Sequence, residues 1–208
     1  MMQAEEMVVS TSNRYLLAGW MSIIAAVLFP LQFIVGIVQG IIGARTFHIK
    51  GPIVGPADFL GLISTALAVY VIIMFRQLLH ERFRYHGVDL LITISIWWLI
   101  GFQVLGLMLK TMLLLTNLPE LMQIVMMLGL FSVAMVTVGI VDIMIAVRLL
   151  KLREQMSDLL AAYVYLTLAA GILEVTILLS PLALILVPIT SIILGVVFLR
   201  EKEEAEFV

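Results

Sequence analysis

No cysteine occurs in this chain, and only 12% of its residues are charged. The missing thiols exclude disulfides, thiolate metal sites and thiol redox chemistry. The scarcity of charge excludes an ordinary soluble fold, because a 208-residue chain that is 63% apolar cannot hide that much apolar surface from water. Histidine is equally sparse. His48, His80 and His86 all fall between the apolar stretches, so no pair is placed to clamp a haem between helices. Neither H-E-x-x-H nor G-x-S-x-G occurs, which leaves intramembrane hydrolysis without support. A basic leader is missing too: Glu5 and Glu6 precede the first arginine, so the first apolar stretch is expected to persist as a membrane span.

What is present is a succession of apolar stretches broken by short polar knots. About 20 apolar residues cross the hydrocarbon core, and on that rule the chain is expected to be an all-α, polytopic integral membrane protein with six transmembrane helices in one bundle. The expected spans are Tyr15 to Gly43, Pro56 to Phe75, Val88 to Leu115, Leu121 to Val147, Leu159 to Leu179, and Leu182 to Leu199. Residues 1–14 are read as a short cytoplasmic segment, 15–199 as the transmembrane domain and 200–208 as a charged cytoplasmic tail, solvated or frayed. Ser180 and Pro181 are the only polar punctuation between the last two spans, so a turn is expected there.

Charge placement gives the orientation. Arg14, Arg76, Arg82, Arg84, Arg148, Lys151, Arg153, Arg200 and Lys202 fall on one side of six alternating spans, against Arg45 and Lys50 on the other. By the positive-inside rule both termini are cytoplasmic and the protein is a multi-pass protein of the cell membrane. The stretches Arg76 to Arg82 and Arg148 to Arg153 each lead to an Asp-Leu-Leu helix start, at Asp89 and Asp158, and keep apolar residues at helical spacing beside their arginines. They are expected to extend the helices into the headgroups and meet anionic lipid.

Lys110 is the conspicuous residue of the third span, since a lysine in hydrocarbon must find a partner, a cavity or the headgroup layer. At about 1.5 Å per residue, Lys110, Asp58 and Glu174 all fall roughly 9–10 Å below the expected outer ends of their spans. Gln103 and Lys110 share a helix face, as do Gln32 and Gln39, while Tyr163, Thr167, Ala170 and Glu174 form a stripe on the fifth span. Pro188 frees a backbone carbonyl at similar depth. The expected binding pocket therefore comprises Gln32, Gln39, Asp58, Gln103, Lys110 and Glu174, open toward the outside. Plainer roles compete. Asp58, two residues after Pro56, suits the positive end of a helix, and Lys110 can snorkel outward. Asp142 is expected to pair with Arg148 or another cytoplasmic arginine.

Gly36, Gly40 and Gly43, then Gly61, Thr65 and Ala68, and then Ser132, Gly139 and Ala146 form small-residue faces suited to close helix approach. Thirteen methionines, among them Met108 with Met112 and Met122 with Met126, suit Cu(I) in principle, but without cysteine or a nearby histidine they read as apolar filler. No catalytic residue, metal site or cofactor is expected. The partners expected are membrane lipids and a small polar or cationic solute, or a second copy or partner membrane subunit, and not nucleic acid. On this reading the protein is a small transporter or channel-like protein, leaning away from an enzyme; the alternative is a non-catalytic structural or accessory subunit of a membrane complex.

The cysteine-free background makes the orientation testable. Single cysteines replacing Asn117 and Arg82 should react from opposite faces of the membrane, Asn117→Cys with an impermeant reagent outside and Arg82→Cys only after permeabilisation. Labelling of both from outside would refute the expected orientation.

Overall fold

The computed structural model describes residues 2–45, 55–116 and 119–206, with side chains for 13–39, 55–113, 115–116, 119, 121–179 and 181–200. His48, Lys50, Gly51 and Asn117, on which parts of the outer connections were expected, lie outside the described residues. The fold is all-helical: α1 (Met2–Arg45), α2 (Pro56–Phe83), α3 (Asp89–Leu115), α4 (Glu120–Leu149), α5 (Asp158–Val175) and α6 (Ser180–Glu206). Short 3-10 turns at Leu150–Gln155 and Ile177–Leu179 follow α4 and precede α6. All six helices are long and apolar enough to cross a membrane. The chain has the build of a multi-pass membrane protein.

Several boundaries differ from the sequence expectation. Helix α1 runs back through the segment expected to precede it, and α6 continues to Glu206 where a frayed tail was expected. The Arg76 to Arg82 stretch does extend its helix as expected, forming the last turns of α2. Ser180 and Pro181 do not make the turn between the last two spans; they open α6, where proline is preorganised for the first helical turn. The reversal comes earlier. Thr176, at φ −86° and ψ 85°, ends α5, and Ile177–Leu179 carries the chain across.

Each helix packs on its neighbours in the chain, and α1 packs on α6, so the six close into a ring. Two of the seams are glycine crossings. A Cβ placed on Gly139 of α4 would stand 2.6 Å from the Gly171 carbonyl oxygen of α5, and one on Gly171 would stand 2.8 Å from the Gly139 carbonyl oxygen. Gly19 and Gly195 do the same for α1 and α6, at 3.0 and 2.9 Å. These backbones touch because no side chain intervenes, which is how helices pack where solvent gives no hydrophobic drive. Beside the second crossing the Ser22 hydroxyl donates to the Ser191 carbonyl at 2.7 Å.

The interior is filled unevenly. The apolar core sits at the end where α2 and α4 finish and α3 and α5 begin, around Leu78, Leu79, Val88, Ile92, Leu149, Leu160 and Phe198, all essentially inaccessible. Polar ties bind the same end. Asp89, opening α3, accepts from Arg76 Nε at 3.0 Å and pairs with His80 Nε2 at 2.6 Å and His86 Nδ1 at 3.2 Å. Tyr15 donates to Glu81 at 2.5 Å, linking α1 to α2, and Arg148 donates to the Gly87 carbonyl at 2.5 Å. Asp158 stands in a different setting. It is exposed, with Arg153 at 3.4 Å, so the two Asp-Leu-Leu starts are not equivalent.

The seams predict a contrast between glycines. Gly139→Ala should lower stability by about 1–3 kcal/mol, the range for forced overpacking, read as a lower Tm in detergent. Gly101→Ala, where nothing lies within 4 Å of an added Cβ, should be neutral or slightly stabilising because alanine is the better helix former. Equal losses at both positions would contradict the crossing.

Candidate functional site: a central cavity and its mouth

Above the packed end the ring is hollow. A cavity of about 360 Å³ is lined by side chains from all six helices. Phe75 and Tyr163, edge to face at 5.2 Å, stand between it and the apolar core. Phe29, Phe33, Phe102 and Phe131 supply much of the remaining wall. Among these the polar groups are Ser22, Gln32, Ser64, Thr65, Ser95, Trp98, Gln103, Asp142, Tyr163, Thr167, Glu174, Thr190 and Ser191. Among the described residues no lysine, arginine or histidine lines it.

The stripe Tyr163, Thr167, Ala170 and Glu174 faces this space along α5. Thr167 spends its hydroxyl on the Tyr163 carbonyl at 2.9 Å. Glu174 is 3% exposed, although α5 ends one residue later. Its burial therefore does not come from depth along a long helix, as the sequence suggested. It comes from the glycine seam: a Cβ on Gly139 would lie 2.9 Å from the Glu174 Cβ, so the carboxylate arm is held against α4.

Asp142 stands one turn along from Gly139 on α4 and also lines the cavity, close enough to Glu174 for the two charges to interact. The sequence reading paired Asp142 with an arginine at the basic end. Arg148 instead reaches the Gly87 carbonyl, and Asp142 has no ion-pair partner among the described residues. The signal that was available is its spacing, three residues beyond a glycine on a small-residue face.

Three buried polar atoms of the cavity lack any hydrogen-bond partner among the described residues: Gln32 Oε1, Trp98 Nε1 and Glu174 Oε2. Buried polar atoms are nearly always paired, so three orphans on α1, α3 and α5 around one space are informative. Of the two adjacent tryptophans on α3, Trp98 lines the cavity. Only Trp97 faces outward.

A second, more open pocket of about 390 Å³ adjoins the first at the end where α2 begins, lined by Gln32, Phe33, Gly36, Ile37, Ala57, Asp58, Gly61 and Gln103. Gln32, Phe33 and Gln103 line both spaces, so they form the partition between mouth and cavity. Gly61 leaves room for the two amides, since an added Cβ would stand 3.3 Å from Gln103 Nε2 and 3.5 Å from Gln32 Oε1.

At the mouth Asp58 accepts from the Gly55 backbone N–H at 2.7 Å, capping α2, and the same oxygen accepts from Lys110 of α3. Helix-end role and ion pair are thus combined in one carboxylate. Gln39 is structural, its Oε1 accepting from the Ala57 N–H at 3.4 Å across the α1–α2 seam. Of the six residues expected in one pocket, Gln32, Asp58 and Gln103 line the mouth together and Lys110 is joined to Asp58, while Gln39 lies between helices and Glu174 is inside with Asp142. Comparisons of the chain with protein-family models, with curated proteins and with solved structures found no match.

The Asp58–Lys110 pair can be measured. Both side chains are mostly buried, at 20% and 32% exposure. In a double-mutant cycle Lys110→Met alone should therefore cost more stability than Lys110→Met with Asp58→Asn, with a coupling of about 0.5–3 kcal/mol. Additive losses would mean that the pair contributes nothing.

Proposed function

We propose that this chain is a small solute transporter of the cell membrane, with both termini in the cytoplasm, and that Glu174 with Asp142 is its coupling centre. The observation that carries the reading is the central cavity lined by all six helices, with two carboxylates and, among the described residues, no basic one. Two ionised carboxylates in a poorly solvated space leave a charge that must be balanced by a proton or a cation. A group that exchanges one for the other inside a ring of mobile helices is what ion-coupled transport requires.

The route in this reading runs from the outer mouth past Gln32, Phe33 and Gln103 into the cavity, while the packed core and the Asp89 ties close the cytoplasmic end. Opening that end would need α6 to bend. Pro188 supplies a weak point, beside Thr190 and Ser191, whose hydroxyls both donate to the Val187 carbonyl at 2.7 and 3.0 Å.

Purified protein in liposomes with an imposed proton or sodium gradient should take up or release a solute from a charged and neutral panel. Glu174→Gln should abolish that flux while the protein still folds. A panel without flux, together with a Glu174→Gln variant altered only in stability, would favour the structural-subunit reading.

A further inference from the structure

Two properties of the cavity constrain its occupant independently of whether anything is moved. The first is charge. Asp142 and Glu174 are the only ionisable acids or bases that line the cavity among the described residues, tyrosine apart, so an anion meets repulsion with no compensating cation, whereas a monovalent cation meets two acceptors of opposite sign. The second is the wall. A space of about 360 Å³ with Phe29, Phe33, Phe75, Phe102 and Phe131 in a mainly apolar lining lies within the size range of small-molecule sites. It is much larger than an inorganic ion needs and far too apolar to coordinate one with oxygen on all sides. A zwitterion's carboxylate would find no basic side chain among the described lining residues to balance it.

The orphaned atoms refine the choice. Glu174 Oε2 and Gln32 Oε1 are acceptors awaiting N–H or O–H donors, on helices α5 and α1. A primary or secondary ammonium group carries donors and positive charge together, and an aromatic wall stabilises that charge through its ring faces. A quaternary ammonium has the charge but no donor. We propose that the central cavity is a binding site for a protonated amine with an apolar, ring-sized body, its ammonium held by Glu174 and Gln32 with Asp142 nearby and its body against the phenylalanine wall. This deepens the transport reading by naming the solute class, yet it is a statement about binding and stands or falls without flux.

Trp98 lines the cavity and gives a reporter inside the site. The chain has three tryptophans, and Trp20 and Trp97 are 54% and 70% exposed on the outer face of the ring. Trp20→Phe with Trp97→Phe therefore leaves Trp98 as the single fluorophore. Three probes of similar size and different charge decide the matter in purified protein: 2-phenylethylammonium, 2-phenylethanol and 3-phenylpropionate at neutral pH. The ammonium should change Trp98 emission saturably. The alcohol and the carboxylate should bind roughly tenfold more weakly or worse, the loss expected when a charge-assisted hydrogen bond is removed. Glu174→Gln should weaken the ammonium by a similar factor and narrow the gap to the alcohol.

Equal binding of ammonium and alcohol, preference for the carboxylate, or no saturable response to the ammonium would each overturn the proposal. Should Glu174→Gln fail to fold, the charge series on the Trp98-only protein still decides it. The two readings separate cleanly. Gradient-driven flux of some other solute by a protein indifferent to the ammonium would keep transport and remove this assignment, and saturable ammonium binding without flux would do the opposite.

Discussion

The contact between the backbones of Gly139 and Gly171 is the feature on which the rest of the site depends. With side chains at either position α4 and α5 would stand farther apart, and Asp142 and Glu174 would no longer share one space. A glycine in a helix costs about 1 kcal/mol in propensity, and here that cost lets α4 and α5 bring Asp142 and the buried Glu174 to the lining of one cavity. The Gly19–Gly195 crossing has the complementary role of closing the ring through α1 and α6. One crossing makes the enclosure and the other furnishes it.

The two ends of the bundle are built for different purposes. At the basic end, large apolar side chains fill the ring and hydrogen bonds tie α2 to α1 and α3. Arg84 there adopts φ 48°, a left-handed conformation usually left to glycine, to end α2 and let Val88 reach full burial. At the other end amides and an ion pair border open space. Paired polar groups accompany the packed core, and the unpaired buried ones border the open space.

The architecture was legible because hydrocarbon imposes a length and a composition on any helix that crosses it, so the six spans could be read from the sequence almost directly. The stripe on α5 was legible for the same kind of reason, since helical periodicity places Tyr163, Thr167, Ala170 and Glu174 on one face whatever surrounds them. Partners across helices were not. Lys110 could be told to need a carboxylate, but the choice between Asp58 and Glu174 rests on which helices are adjacent in the ring. Asp142 looked like an interfacial residue because arginines are near it in sequence, while in the fold it lines the same cavity as Glu174, 32 positions away along the chain. The Ser180–Pro181 step misled because the same dipeptide that breaks a helix can also begin one.

Closure of the ring through α1 and α6 also fixes an order of events during biosynthesis. Among these six helices α1 leaves the ribosome before the others and α6 after them, and the two are neighbours in the fold, so the wall stays open along one side until α6 has been inserted. Asp142 and Glu174 are already synthesised by then and face an unfinished groove rather than a cavity. An insertion machinery that shields α4 and α5 until α6 arrives would spare these carboxylates contact with lipid, and a chain truncated before α6 would present them to it.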